Sequence, residues 1–279
     1  MIKNMQSLMS KTKRFAKDNG LLVHEVLQNY MFERFLDRLS NSEYNEKFII
    51  KGGFLLSSIM GISMRTTMDI DANITGMDFE VDEINSMINK IIDVKIDDDV
   101  TFEIDKSMPI KEDSEYGGYR FKLIARLNNL RIPFSLDVST GDLITPRAIE
   151  YNYKTILENE NIKLFTYNSE TIIAEKLETI LKRNIANSRM KDYYDIYYFA
   201  TYKCKDINYD ILKRAISTTF KHRDSEKYLE DFNNLLDDIS NNKDLILRWD
   251  KYTKEHEYAK EVTYDEVINS IKKIYESSI

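Results

Sequence analysis

The chain has 279 residues, with 40 Lys+Arg against 47 Asp+Glu, a net charge of −7, 42% apolar residues, one cysteine, 8 glycines and 3 prolines. At ~100–200 residues per domain this is one large domain or two medium ones, apolar enough for a packed core and too poor in Gly and Pro for a fibrous or low-complexity chain. The lone Cys204 excludes a disulfide framework and indicates a reducing compartment. No apolar run approaches the ~18 residues of a membrane span, and residues 1–20 are too charged for a signal peptide, so the expected location is the cytoplasm.

Residues 1–20 are polar and basic, suited to a frayed or docking helix. Leu22, Val26, Tyr30, Phe35 and Leu39 recur near the helical period until the Ser40-Asn41-Ser42 cluster stops them. Residues 48–51 form a short buried-strand pattern closed by Gly52-Gly53, and residues 54–60 read as a short helix ended by Gly61. Residues 68–74 alternate apolar and acidic side chains like a half-buried strand, and residues 80–92 read as helix. Strand alternation returns over residues 100–104, 119–127 and 132–138, with a hairpin turn at Asn128-Asn129. Residues 151–156 and 162–165 suggest two more strands. Beyond Asn168 the texture is helical. Ser169 stands as N-cap, Ile173, Leu177, Ile180 and Leu181 form one stripe, and helices follow over residues 191–202, 209–220, 228–236, 244–252 and 264–275. The expectation is a mixed α/β part, residues 1–168, and a helical part, residues 169–279.

Charge is unevenly spread. Residues 77–115 carry 13 acids and 4 bases, whereas residues 171–223 carry 11 bases and 6 acids. That asymmetry suits either a basic surface for a polyanion beside an acidic flank, or solvated helix faces of both signs.

The most informative feature is Asp69-Ile70-Asp71. Residues i and i+2 of a strand point to one face, with alpha carbons roughly 6.6–6.8 Å apart. Two carboxylates so placed suit hard cations such as Mg²⁺ or Mn²⁺, although the solvent face of an edge strand gives the same pattern. Asp137, within Phe134-Ser-Leu-Asp-Val-Ser139, is a candidate third ligand. Three carboxylates on neighbouring strands suit two cations about 3.5–4 Å apart, the arrangement that activates an attacking hydroxyl and stabilises a departing phosphate oxygen. Gly52 and Gly53 lie where a strand feeds a helix, a place at which bare N–H groups favour phosphate oxygens.

Lys51-Gly52-Gly53 followed by Arg65-Thr66-Thr67-Met68-Asp69-Ile70-Asp71 resembles the nucleotidyltransferases of the DNA polymerase β superfamily and, more narrowly, the AbiEii/AbiGii toxin family of bacterial abortive-infection and toxin–antitoxin systems. Ala174-Glu-Lys-Leu-Glu178, Arg183 and Ser188-Arg-Met-Lys-Asp-Tyr-Tyr-Asp195 resemble that family's second motif pair, a helical Lys followed by Arg-x-Lys-Asp-x-x-Asp. The match runs in order over about residues 25–200.

The resemblance implies a polymerase β-like core with a mixed sheet, then a helical domain completing the active-site cleft. It implies metal ligands at Asp69 and Asp71 with Asp137 third, and nucleotide contacts at Gly52, Gly53, Arg65, Thr67 and Lys176, with Arg65 either holding phosphate or fastening its loop. Lys176 is a point charge suited to the triphosphate or the leaving pyrophosphate. Asp192 orients Lys176 or a ribose hydroxyl, and Asp195 binds Arg183 or Arg189. The implied activity is that of a type IV toxin in phage defence, a Mg²⁺-dependent transfer of a nucleotide from an NTP to the tRNA 3′ end. A separately encoded antitoxin represses the operon or modifies the toxin without needing a stable complex, and the toxin is expected to be monomeric. A phosphate on Thr67 would repel the triphosphate; unchanged transfer by Thr67-phosphorylated protein would dispose of that idea. Alternative acceptors are a small molecule such as an antibiotic, or a protein side chain; a non-catalytic NTP-binding module is the third reading.

His24, His222 and His256 show no ligand spacing, and the tyrosines of residues 193–202 read mainly as packing. Lys213-Arg214 and Lys221-His222-Arg223 suit solvated faces or an RNA backbone.

Overall fold

The apolar runs named above pair into one sheet. The computed structural model describes residues 2, 4–63, 65, 67, 69–76, 80–110 and 118–278. Its strands are β1 (Phe48–Lys51), β2 (Asp69–Ile74), β3 (Thr101–Pro109), β4 (Gly118–Leu127), β5 (Leu130–Thr140), β6 (Ile149–Lys154) and β7 (Asn161–Thr166), in the order β3-β4-β5-β2-β1-β7-β6. β2 runs parallel to β5 and β1 parallel to β7, while the other neighbours are antiparallel. The sheet is therefore mixed, as expected. Met68, the first residue of the strand expected over 68–74, lies outside the described residues, as do residues 77–79 and 111–115 of the acidic stretch.

Asn128 and Asn129 form the β4–β5 turn, with Asn128 at φ +53°, a left-handed conformation that asparagine tolerates. A two-residue loop leaves no freedom of register. It sets Leu127 against Leu130 and, further along, Arg120 against Asp137.

The packing divides the chain into two units. The first comprises Met1–Asp142 with Ile149–Thr166, and the second Leu143–Ala148 with Tyr167–Ile279. In the first, helices α1 (Met5–Asn19), α2 (Val23–Ser40), α3 (Gly52–Met60) and α4 (Val81–Ile92) accompany the sheet. The aromatics of α2 build its core: Phe32 meets Phe134 edge-on at 5.3 Å and Phe54 at 6.0 Å. A buried charge accompanies them. Arg38 forks onto Asp98 with two 2.7 Å hydrogen bonds and donates to the Val100 carbonyl at 2.6 Å, so neither charge is left unpaired.

The second unit contains α5 (Ser169–Arg183), α6 (Met190–Tyr202), α7 (Tyr209–His222), α8 (Glu226–Glu230), α9 (Phe232–Asn241), α10 (Lys243–Glu255) and α11 (Tyr264–Glu276). Asn168, not Ser169, caps α5: its Oδ1 accepts from the Thr171 N–H at 2.8 Å while its Nδ2 donates to the Thr145 carbonyl at 2.7 Å. Ser169 has no such reach once it is itself the first helical residue. The single helix expected over residues 228–236 is divided at Asp231 into α8 and α9. Tyr193, Tyr194 and Phe199 are buried, and the Trp249 indole donates to the Val262 carbonyl at 3.0 Å. Among the described residues no helix is long and apolar enough to cross a membrane.

Candidate active site

Strand geometry assembles the first group. Asp69 and Asp71 alternate with buried Ile70 on β2, and the parallel pairing with β5 puts Asp137 beside Asp71 and Ser135 beside Asp69. One oxygen from each of Asp69, Asp71 and Asp137 lies within 4.8 Å of the other two. The three acids expected to gather do so.

The glycine pair explains how the backbone can approach them. Gly52 opens α3 at φ +64°, and a Cβ on it would lie 1.9 Å from Asp71 Oδ2. A Cβ on Gly53 would lie 2.6 Å from Thr67 Oγ1 and 3.7 Å from Arg65 Nη2. The Gly53 N–H donates to Asp71 Oδ2 at 3.2 Å, so one of the helix-start N–H groups that the sequence offers to phosphate goes to the carboxylate. Thr67 Oγ1 donates to Asp69 Oδ1 at 2.9 Å. Arg65 is buried, with its guanidinium beside Gly53 and Thr67 rather than in solvent.

Electrostatics separate Asp71 from an ordinary solvated carboxylate. Burial raises the proton affinity of Asp71, and the neighbouring Asp69 charge raises it further; Lys51 opposes this, Asp137 adds to it, and the Gly53 N–H opposes it again. Three hard oxygen donors whose mutual repulsion a cation would relieve fit a divalent ion of the Mg²⁺ or Mn²⁺ kind.

Two cations stand in the same row. β1 pairs Lys51 with Asp71, β5 pairs Asp137 with Asp71, and β4 pairs Arg120 with Asp137. Lys51 Nζ reaches past the acids to Ser139 Oγ at 2.8 Å and to the carboxylate of Asp142. Arg120 forks directly onto Asp137, Nε to Oδ1 at 2.7 Å and Nη2 to Oδ2 at 2.6 Å. Sequence reasoning named Lys51 only as part of the Lys51-Gly52-Gly53 motif, without a role, and passed over Arg120. The signal for Arg120 was available in the Asn128-Asn129 turn, which fixes its partner.

The second unit gathers its own group. Lys176 on α5 places Nζ 2.7 Å from Asp192 Oδ1 and 2.7 Å from Asp195 Oδ2, both on one face of α6. Arg189 Nε donates to Asp192 Oδ2 at 2.7 Å. Asp195 thus meets Lys176, whereas Arg189 goes to Asp192 and Arg183 is exposed. Burial alone would raise the Asp192 carboxyl, but the Lys176 and Arg189 charges outweigh it and hold the group below the usual carboxylate range. Arg223, named above with the basic cluster, forks between Glu175 at 2.8 Å and Glu178 at 3.0 Å.

The family model described as nucleotidyl transferase AbiEii toxin, type IV TA system, matches residues 34–270. No curated protein matches the chain. Among solved structures, JHP933 from Helicobacter pylori is similar at 13% identity and TM-score 0.49, over 91% of this chain and 90% of that one. An antigenic nucleotidyltransferase-like protein from Paracoccidioides brasiliensis is similar at 16% identity and TM-score 0.39, over 74% and 92% respectively.

Proposed function

The chain belongs to the AbiEii nucleotidyl transferase toxin family of type IV toxin–antitoxin systems, and from that premise we propose that it moves a nucleoside monophosphate from an NTP to the 3′ end of a tRNA. Membership implies the NTP substrate and a separately encoded antitoxin. The tRNA acceptor, the dependence on Mg²⁺, the phage-defence role and the cytoplasmic location are this reading's own. One observation carries it: three carboxylates of β2 and β5 converge within 4.8 Å, beside a helix start whose glycine leaves no room for a Cβ against Asp71.

Asp69, Asp71 and Asp137 are the residues assigned to hold a divalent cation. Such an ion, when bound, neutralises phosphate charge and favours the ionised form of an attacking hydroxyl. The remaining work belongs to the chain. The Thr67 hydroxyl and the Gly53 N–H each donate to one of the acids, Asp69 and Asp71, and fix its direction, so these two ligands are oriented before substrate arrives. In the second unit Asp192 and Asp195 hold the Lys176 ammonium, the group assigned to nucleotide phosphates. Positioning and charge complementarity account for the catalysis, since phosphoryl-type transfer asks little covalent chemistry of the protein.

The test is incubation with each α-labelled NTP and Mg²⁺ in a lysate supplemented with total tRNA and an aminoglycoside, followed by fractionation. Label on tRNA 3′ termini, absent with Asp69→Ala or Asp71→Ala, is the expected result. Label confined to protein or to the antibiotic would move the acceptor assignment there. Growth inhibition that survives both substitutions would favour a non-catalytic module.

A further inference from the structure

The three acids are held by unequal partners. Asp69 takes its hydrogen bond from the Thr67 hydroxyl at 2.9 Å and Asp71 from the Gly53 amide at 3.2 Å. Both donors are neutral, and a neutral donor stays in place when its carboxylate also binds a cation. Asp137 differs. Both of its oxygens lie against one guanidinium, at 2.7 and 2.6 Å, and that full positive charge repels any second cation placed on the same carboxylate.

The position of Arg120 is built in. The Asn128-Asn129 turn fixes it opposite Asp137, and the parallel β2–β5 ladder fixes Asp137 beside Asp71. Its freedom to leave is also built in, because the Arg120 side chain is 39% exposed against 13% for Asp137. Arg34 and Arg38, by contrast, are buried in the core and have no water to turn into.

We propose that Arg120 is a positioning residue and an internal competitor for the third carboxylate, so that Asp137 becomes a divalent-cation ligand only by exchanging the guanidinium for the ion. This rests on the nucleotidyltransferase reading above. The exchange gives the site a threshold: a monovalent ion brings no more charge than the arginine it would displace, whereas a divalent ion does. Once released, the guanidinium lies on the same sheet face as the acids, with its charge available to a bound anion.

A neighbouring lysine supplies the control. Lys122, two residues along β4, gives its ammonium to Ser135 Oγ at 2.7 Å, and Ser135 is the register partner of Asp69. It contributes the same unit charge nearby without occupying a ligand oxygen.

The experiment measures Mn²⁺ affinity by electron paramagnetic resonance of the free ion, at fixed ionic strength and without nucleotide. Chelator-stripped wild type is compared with R120Q, R120K, K122Q and D71N, each checked by thermal melting. R120Q is expected to bind Mn²⁺ about tenfold tighter, R120K about threefold, and K122Q less than about twofold, the scale of a partly exposed bidentate pair. Affinity that is unchanged or weaker in R120Q would overturn the proposal, as would equal tightening in R120Q and K122Q, which would reflect net charge alone. If R120Q does not fold, R120K decides by the same criteria. Wild type that binds no Mn²⁺ beyond D71N would instead sink the nucleotidyltransferase reading, a separate outcome.

Discussion

Replacing Gly52 by alanine tests whether the glycine is there to admit a catalytic acid. The new Cβ would sit 1.9 Å from Asp71 Oδ2 and 2.8 Å from Asp71 Cβ, where real Cβ contacts essentially never fall under 3.0 Å. Turning the carboxylate relieves the first contact but not the second, so the backbone of β2 or α3 must also shift, by an amount on the order of 1 Å at the acid. A misplacement of that size costs roughly 100-fold in rate when geometry carries the catalysis. The stability cost is separate and smaller: alanine at φ +64° loses about 1–2 kcal/mol, or roughly 2–8 °C in Tm for a chain of this size. Gly61 provides the comparison, since it sits at φ +96° and a Cβ added there would meet nothing within 4 Å. Gly61→Ala is also expected to lower Tm, by about 1–3 kcal/mol of backbone strain, but with nucleotide transfer nearly intact, whereas Gly52→Ala loses transfer while still folded. Melting curves and single-turnover transfer of α-labelled NTP on the same preparations separate the two effects. A folded Gly52→Ala protein with full transfer activity would refute the reasoning.

Burial pushes the Glu33 carboxyl up to about 8, so the native state keeps a proton that the unfolded chain releases near pH 4.3. This group's contribution is therefore most favourable below about pH 4.5 and is lost as pH rises to about 8. Glu33→Gln retains an Oε1 acceptor for Tyr153 and Ile156. It is expected to remove that slope and to gain up to roughly 5 kcal/mol over wild type at pH 9; urea midpoints falling in parallel for both proteins would contradict this. Asp192 has the opposite sign, because its folded-state value is lowered. Its stabilisation is present above about pH 4 and lost as pH falls further, so Asp192→Asn is expected to be less stable at neutral pH and to show a shallower acid limb in pH-dependent melting. Asp98→Ala strands the buried Arg38 guanidinium and is expected to cost about 3–5 kcal/mol by chemical denaturation; a loss under ~1 kcal/mol would mean that the core rearranges around the charge.

Features that depend on local periodicity were legible from the residues. The alternation in Asp69-Ile70-Asp71 put both acids on one face, and the alternation around Asp137 made it a third candidate. Features that depend on which elements meet were harder to read. That Gly52 opposes Asp71 follows from the antiparallel β1–β2 ladder, whose last pair is Lys51 with Asp71; the intervening helix and loop do not announce that ladder. Arg120 sits between these cases, since the two-residue turn already dictates its partner by counting back from Asn128. Spacing placed Asp192 and Asp195 on one helix face, but only the packing of α5 on α6 decides that Lys176 lies between them. The break at Asp231 has no chemical mark: Phe232, Leu235 and Leu236 continue an apolar stripe that a single helix would also satisfy.

The central claim, that Asp69, Asp71 and Asp137 together form the catalytic centre, is tested most directly by anomalous diffraction from crystals grown with Mn²⁺ and a non-hydrolysable NTP. The account predicts manganese peaks bounded by these three carboxylates, with Arg120 turned off Asp137. Manganese ligated elsewhere, with the Asp69–Asp71–Asp137 group bare in the presence of bound nucleotide, would contradict it.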